Sequence, residues 1–140
     1  MTLEQATALI QNCAGQMNAR YGKVVFDEWA VVALAANKGL LLAYIGPRKN
    51  SFHQNFNADI GALRTGLLDP RYDVGDFEFA RHGTGTGFES FLVVGKGLFL
   101  ICNNTVHSMD VIAKDPHWLD AQIPFVELSE RFRADPLTVS

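Results

Sequence analysis

Four short apolar runs constrain the fold of this chain more than any other feature of its sequence. They are Trp29–Ala36, Leu40–Ile45, Phe91–Val94 and Leu98–Cys102. A strand with one face in water alternates apolar and polar residues, and these four runs barely alternate. The sequence therefore predicts a β-sheet that is covered on both of its faces.

Local signals at the start of the chain predict a helix followed by a hairpin. Thr2 and Gln5 form a capping box for a first helix, whose apolar pattern stops at Gly22. A first strand is expected over Val24–Ala36, and the second apolar run returns beside it after a turn rich in asparagine and glycine. The last two apolar runs form a second hairpin around the turn Gly95–Gly97.

The middle and the end of the chain add further elements. The clearest amphipathic helix is predicted over Ser51–Leu68. A strand with one wet face follows near Asp76–Phe79, and the C-terminal segment is helical but interrupted at Pro116 and Pro124. The order is helix, two strands, helix, three strands, helix. We expect a single α+β domain over residues 1–140, built around an antiparallel sheet.

Composition and charge exclude several classes of protein. The 140 residues carry 12 basic and 15 acidic side chains, and the last 33 residues hold the whole acidic excess. A basic stripe with interleaved aromatic residues is missing, which argues against a nucleic-acid-binding protein. A signal-peptide pattern and an apolar run of about eighteen residues are missing too, so we expect a cytoplasmic protein without a membrane segment. Cys13 and Cys102 lie in apolar stretches and are expected to be buried thiols.

Three segments carry a resemblance to a known family: the hairpin Val31–Ala43, the helix Ser51–Leu68 and the hairpin Phe91–Ile101. Their succession resembles the roadblock (dynein light-chain-like) family of the profilin-like group, over about residues 3–133. The resemblance implies five antiparallel strands in the order 2-1-5-4-3 between three helices, with the middle helix on one face. It also implies a non-enzymatic homodimeric module that binds partners, which in prokaryotic relatives are often small Ras-like GTPases.

The candidate contact residues lie on and before the predicted middle helix, where the family places its dimer-forming helix. The predicted interface consists of Phe52, His53, Phe56, Asn57, Ile60 and Arg64. Arg48 and Lys49 precede it as a basic contact patch for an acidic partner or for the acidic tail of another copy. Ordinary solvated charge is the alternative interpretation of that patch.

Catalytic, cofactor and metal sites are not predicted. Asp27 and Glu28 are adjacent on a strand and point to opposite faces, so they cannot flank one substrate. The loop Gly83–Gly87 joins two strands and does not open a helix, unlike a phosphate-binding loop. The four histidines show no metal-ligand spacing. The second hypothesis is a sensor domain that binds a small molecule in a pocket between sheet and helix. An enzyme would require converging titratable groups that the sequence does not indicate.

Overall fold

The computed structural model describes residues 1–35, 38–47, 72–81 and 88–139. Within these ranges the chain forms an α+β fold around one antiparallel sheet. In chain order the elements are α1 (Leu3–Tyr21), β1 (Glu28–Ala35), β2 (Lys38–Ile45), β3 (Phe77–Arg81), β4 (Phe88–Gly95), β5 (Leu98–Asn104), α2 (Met109–Ala113), α3 (Trp118–Ala121) and α4 (Ile123–Ala134).

The sheet has five strands in the order β2-β1-β5-β4-β3, which confirms the predicted topology. All of its neighbouring strands are antiparallel. The two hairpins β1–β2 and β4–β5 meet through β1 and β5, so these two strands lie inside the sheet. The strand predicted near Asp76–Phe79 forms β3. It lies at an edge of the sheet, as its solvent-exposed face indicates.

The first face of the sheet is covered by α1 and the C-terminal helices. The buried side of α1 repeats at helical spacing and comprises Ala6, Ile10, Cys13, Met17 and Tyr21. These residues share one core with Trp29, Leu100 and Phe125. Trp118 and Phe125 are both buried there, so the interrupted C-terminal segment packs on the sheet.

The second face of the sheet carries a separate core. Its members occupy alternate positions of β1, β4 and β5, and each is at most 5% exposed: Ala30, Val32, Phe91, Val93, Phe99 and Ile101. Strands turn successive side chains to opposite faces, so both faces of the sheet are sheltered from water. This confirms the inference drawn from the unalternated apolar runs. The helix predicted over Ser51–Leu68 lies outside the described residues.

The start of the chain follows the predicted capping pattern, whereas the start of the first strand does not. Thr2 Oγ1 accepts a hydrogen bond from the Gln5 backbone N–H, and Gln5 Oε1 accepts one from the Thr2 N–H. The first strand was expected from Val24, but β1 begins at Glu28. Side-chain bonds hold the intervening chain instead: Val25 N–H donates to Asn18 Oδ1, and Val25 O accepts from Asn104 Nδ2.

Candidate functional site

The contact residues predicted from the sequence all precede β3. Phe52, His53, Phe56, Asn57, Ile60 and Arg64, together with the basic patch Arg48 and Lys49, lie outside the described residues. The glycine-rich loop Gly83–Gly87 lies outside them as well. The candidate site that the structure presents is therefore a different one, on the second face of the sheet.

Three polar side chains form a buried row across the three inner strands of the sheet, near one end of those strands. Glu28 of β1 pairs in register with Asn103 of β5, and Asn103 pairs with Glu89 of β4. Each residue is only 6–7% exposed. Strand periodicity places all three on the face that carries Ala30 and Ile101. We call this set, Glu28, Asn103 and Glu89, the polar row.

Hydrogen bonds fix one end of the polar row. Asn103 Nδ2 donates to Glu28 Oε1 at 2.8 Å, and the Tyr44 hydroxyl donates to Glu28 Oε2 at 2.7 Å. Gly46 closes the same corner with φ +154°, where an added Cβ would lie 2.8 Å from the Tyr44 hydroxyl oxygen and 2.9 Å from Glu28 Cβ. A side chain at position 46 would therefore displace the carboxylate or its donor.

The centre of the polar row retains hydrogen-bonding capacity. The side-chain oxygen Oδ1 of Asn103 is buried and has no hydrogen-bond partner within the described ranges. A buried acceptor of this kind costs about 1–3 kcal/mol when it is left unsatisfied. The row thus offers one unsatisfied amide oxygen, an acceptor that an ammonium group or a hard cation can bind.

The adjacent carboxylates Asp27 and Glu28 serve different partners, as their opposite directions predict. Asp27 Oδ1 accepts from the Thr105 backbone N–H at 3.2 Å, and Asp27 Oδ2 accepts from the Thr105 hydroxyl. Glu28 instead belongs to the polar row. The two carboxylates therefore do not converge on one substrate position.

The two cysteines are buried free thiols, as predicted. Burial, with a smaller contribution from the nearby Glu127 carboxylate, raises the pKa of Cys13 to about 12. Burial and the neighbouring Cys13 raise the pKa of Cys102 well above its ordinary value. Both groups are therefore protonated at neutral pH, and the thiol form is a poor nucleophile.

Native-state labelling checks this assignment of the thiols. At about pH 8 an aromatic disulfide reagent should react with Cys13 and Cys102 far more slowly in the folded protein than in urea. In the folded protein both thiols are protonated and the reagent cannot reach them. The Ala19→Cys variant adds a thiol at an exposed position of α1 and should label promptly. Equal rates for native and added thiols would contradict the burial of the native pair.

The histidines within the described ranges are His107 and His117, and both are exposed. His117 Nδ1 lies 3.1 Å from Asp115 Oδ1. The hydrogen bond from the His117 backbone N–H lowers the pKa of the Asp115 carboxyl. No three histidine, cysteine, aspartate or glutamate side chains of the described chain gather into a group that could hold a metal ion.

Sequence reasoning considered Glu28 only as half of a rejected catalytic pair, and it missed Asn103 and Glu89. Each of these two residues flanks an apolar run, where a polar residue normally marks the end of a strand. The signal that could have found them is their spacing from buried residues: Asn103 lies two residues after Ile101, and Glu89 lies two residues before Phe91. Side chains two residues apart on a strand point to the same face, so both polar residues share a face with those apolar neighbours.

Comparison with models of known protein families and with curated proteins finds no match for this chain. Within the described ranges, none of the helices combines the length and apolar character needed to cross a bilayer.

Proposed function

We propose that this chain is a non-enzymatic interaction module that works as a homodimer and regulates a partner protein. The resemblance to the roadblock family motivates the homodimer, and it suggests a small Ras-like GTPase as the partner. The observation that carries the proposal is the contrast between the two edges of the sheet.

The two edge strands differ in length and charge. The edge strand β3 has only five residues and presents the exposed carboxylate of Glu78. The opposite edge strand β2 has eight residues, and it bears no charged residue from Gly39 to Ile45. Leu40 within it is 62% exposed. Long apolar edges are templates for pairing with another chain, whereas short charged edges resist it. This contrast between the edges supports the proposal that the protein associates with another chain.

Light scattering coupled to gel filtration tests the homodimer. The unaltered protein should elute with twice the mass of one chain, and Ile60→Glu should shift it to the monomer. Arg64→Glu tests the same predicted surface without altering its apolar residues, in case the Ile60 variant fails to fold. Leu40→Lys is the matched change on β2 and shows which surface holds the dimer. A monomeric unaltered protein would contradict the proposal.

The partner class needs a separate experiment. A small GTPase from the same cell should co-purify with the protein in one nucleotide state and not in the other. Equal recovery with GDP and with a GTP analogue would contradict nucleotide-dependent regulation.

The polar row favours a second candidate function, a sensor that binds a small molecule in a pocket between the sheet and a helix. A ligand carrying an amine or a cation would satisfy the free acceptor of Asn103. Thermal-shift measurements with polyamines, Mg²⁺ and Ca²⁺ test this function, since a ligand of the native state raises the unfolding temperature. Loss of that shift in Asn103→Leu supports the sensor. The absence of any shift at millimolar ligand contradicts it.

A further inference from the structure

The outer side of the C-terminal helices carries an apolar stripe. Leu119, Ile123 and Val126 are 79%, 42% and 38% exposed. Eight large hydrophobic residues of the described chain are exposed, and these three stand at regular spacing on neighbouring helices, so they form a patch and not single exposed side chains. We call these three residues the outer stripe.

The outer stripe lies on one continuous helical surface although α3 and α4 are separate elements. Gln122 N–H donates to Trp118 O at 3.1 Å, and Val126 N–H donates to Gln122 O at 3.0 Å. These helical hydrogen bonds cross the junction, so the spacing i, i+4, i+7 places Leu119, Ile123 and Val126 side by side.

The outer stripe points away from the core. The buried side of α3 and α4 comprises Trp118, Ala121, Pro124, Phe125, Leu128, Ser129 and Phe132. At 100° per residue the centre of the outer stripe lies roughly opposite the centre of that buried side. The helices therefore have two apolar faces, of which one packs on the sheet and the other faces solvent.

Acidic residues border the outer stripe. Glu130 lies one helical turn after Val126 and continues the spacing of the outer stripe, and Glu127 lies beside the stripe. Both glutamates are exposed, and neither forms an ion pair within the described ranges. Both also line an open groove of about 370 Å³ between α1 and α4, to which Arg131 contributes as well. Asp120 lies on the same side and pairs with Arg20. Arg133, which also borders the stripe, is paired with Asp76. The acidic excess of the whole sequence falls in this C-terminal region.

We propose that the outer stripe docks a basic amphipathic helix of another protein. Three aliphatic anchors at i, i+4, i+7 match the apolar face of one helix over about two turns, and the acidic border matches lysine or arginine beside those anchors. The stripe is far smaller than the roughly 800 Å² per partner of a stable dimer, which fits a transient helical contact.

This proposal does not depend on the homodimer of the proposed function, and a peptide-binding experiment tests it alone. The probe is a fluorescent synthetic helix of about 15 residues with leucines at i, i+4, i+7 and lysines beside them. A second peptide has the same leucines and glutamates in place of the lysines. Fluorescence anisotropy should show the lysine peptide binding at micromolar concentration, more weakly at high salt, and the glutamate peptide at least tenfold more weakly.

Exposed substitutions assign the binding to the outer stripe. Leu119→Ser with Ile123→Ser should weaken binding of the lysine peptide at least tenfold and leave the circular dichroism spectrum unchanged. Glu130→Lys should weaken it severalfold. Glu4→Lys makes the same change in net charge on the first turn of α1 and should leave binding unchanged.

Four outcomes of the peptide experiments overturn the proposal. They are failure of the lysine peptide to bind, equal binding of both peptides, binding that the serine variants retain, and equal weakening by Glu130→Lys and Glu4→Lys. Loss of self-association in the serine variants would assign the stripe to a second copy. Loss of binding to anionic phospholipid vesicles in the same variants would assign it to a membrane surface, and either result excludes the helix of another protein as its occupant.

Discussion

The Asn103→Asp variant is expected to lose about 3–5 kcal/mol of its free energy of unfolding at neutral pH, the range for an uncompensated buried charge. The substitution keeps the size of the side chain and replaces its amide by a carboxylate. The hydrogen bond from Asn103 Nδ2 to Glu28 Oε1 loses its donor. Because Glu28 and Glu89 lie on the two neighbouring strands, the new charge has a carboxylate on either side. Urea denaturation measures the loss.

The loss should depend on pH in one direction. Burial and two neighbouring carboxylates raise the pKa of the introduced carboxyl in the folded chain above its ordinary value of about 3.9. Above that value the unfolded chain releases its proton while the folded chain retains it, so the deficit grows by about 1.4 kcal/mol per pH unit until the folded pKa is passed. Below it both states are protonated, and the carboxyl can donate to Glu28 as the amide does. The variant should therefore approach the unaltered protein towards about pH 4.

The same chemical change at an exposed position is the control. Asn12 is exposed on α1, and Asn12→Asp should change the free energy of unfolding by less than about 0.5 kcal/mol at every pH. Equal losses for the two variants would show that position 103 is as well solvated as position 12. A loss at position 103 that does not vary with pH would show that the missing donor, rather than the added charge, causes it.

The architecture of the sheet was predictable because its signals are local and repeated. The runs Trp29–Ala36 and Phe91–Val94 lack polar alternation, and this property alone requires cover on both faces. Short turns join the strands of each hairpin, which fixes antiparallel pairing within it. The strand order 2-1-5-4-3 needed the family resemblance, because no local signal says that β1 and β5 become neighbours.

The polar row was not predictable in the same way. Asn103 and Glu89 are 14 residues apart in sequence, and Glu28 lies on a different hairpin. Their meeting depends on the register of three strands, and a one-residue slip would turn any of them to the other face. The early start assigned to the first strand has a similar cause. Val25 has the composition of a strand residue, but the side chains of Asn18 and Asn104 take its backbone groups.

The outer stripe shows a third limit of sequence reasoning. A helix that is apolar on two sides gives a weak amphipathic signal, because the second apolar face blurs the contrast between the buried and the exposed sides. In the sequence, Phe125 and Val126 differ only in their angular position around the helix axis, and the breaks at Pro116 and Pro124 make that position uncertain to assign. The structure assigns it, because helical hydrogen bonds connect α3 and α4.

The Phe125→Ala variant is expected to lose about 3–5 kcal/mol of its free energy of unfolding, the range for removing a fully buried aromatic ring. Phe125 is fully buried between the C-terminal helices and the sheet. Its ring centroid lies 5.2 Å from those of both Phe77 and Phe79, and 6.2 Å from that of Phe26. The substitution therefore opens a cavity at the point where α4 holds the edge strand β3, and neighbouring rings lose favourable edge contacts.

Denaturation monitored by tryptophan fluorescence measures the loss at Phe125, since Trp29 and Trp118 belong to the same aromatic core. A domain of this size has a total stability of about 5–15 kcal/mol, so the alanine variant can fail to fold.

Phe125→Leu keeps most of the volume and should lose less than about 1.5 kcal/mol. Val126→Ala, one residue along on the outer stripe, should lose less than about 1 kcal/mol, because its side chain is already partly in water. Equal losses at positions 125 and 126 would mean that Phe125 does not point into the core and Val126 does not point to solvent. The assignment of Phe125 to the aromatic core and of Val126 to the outer stripe would then both be wrong.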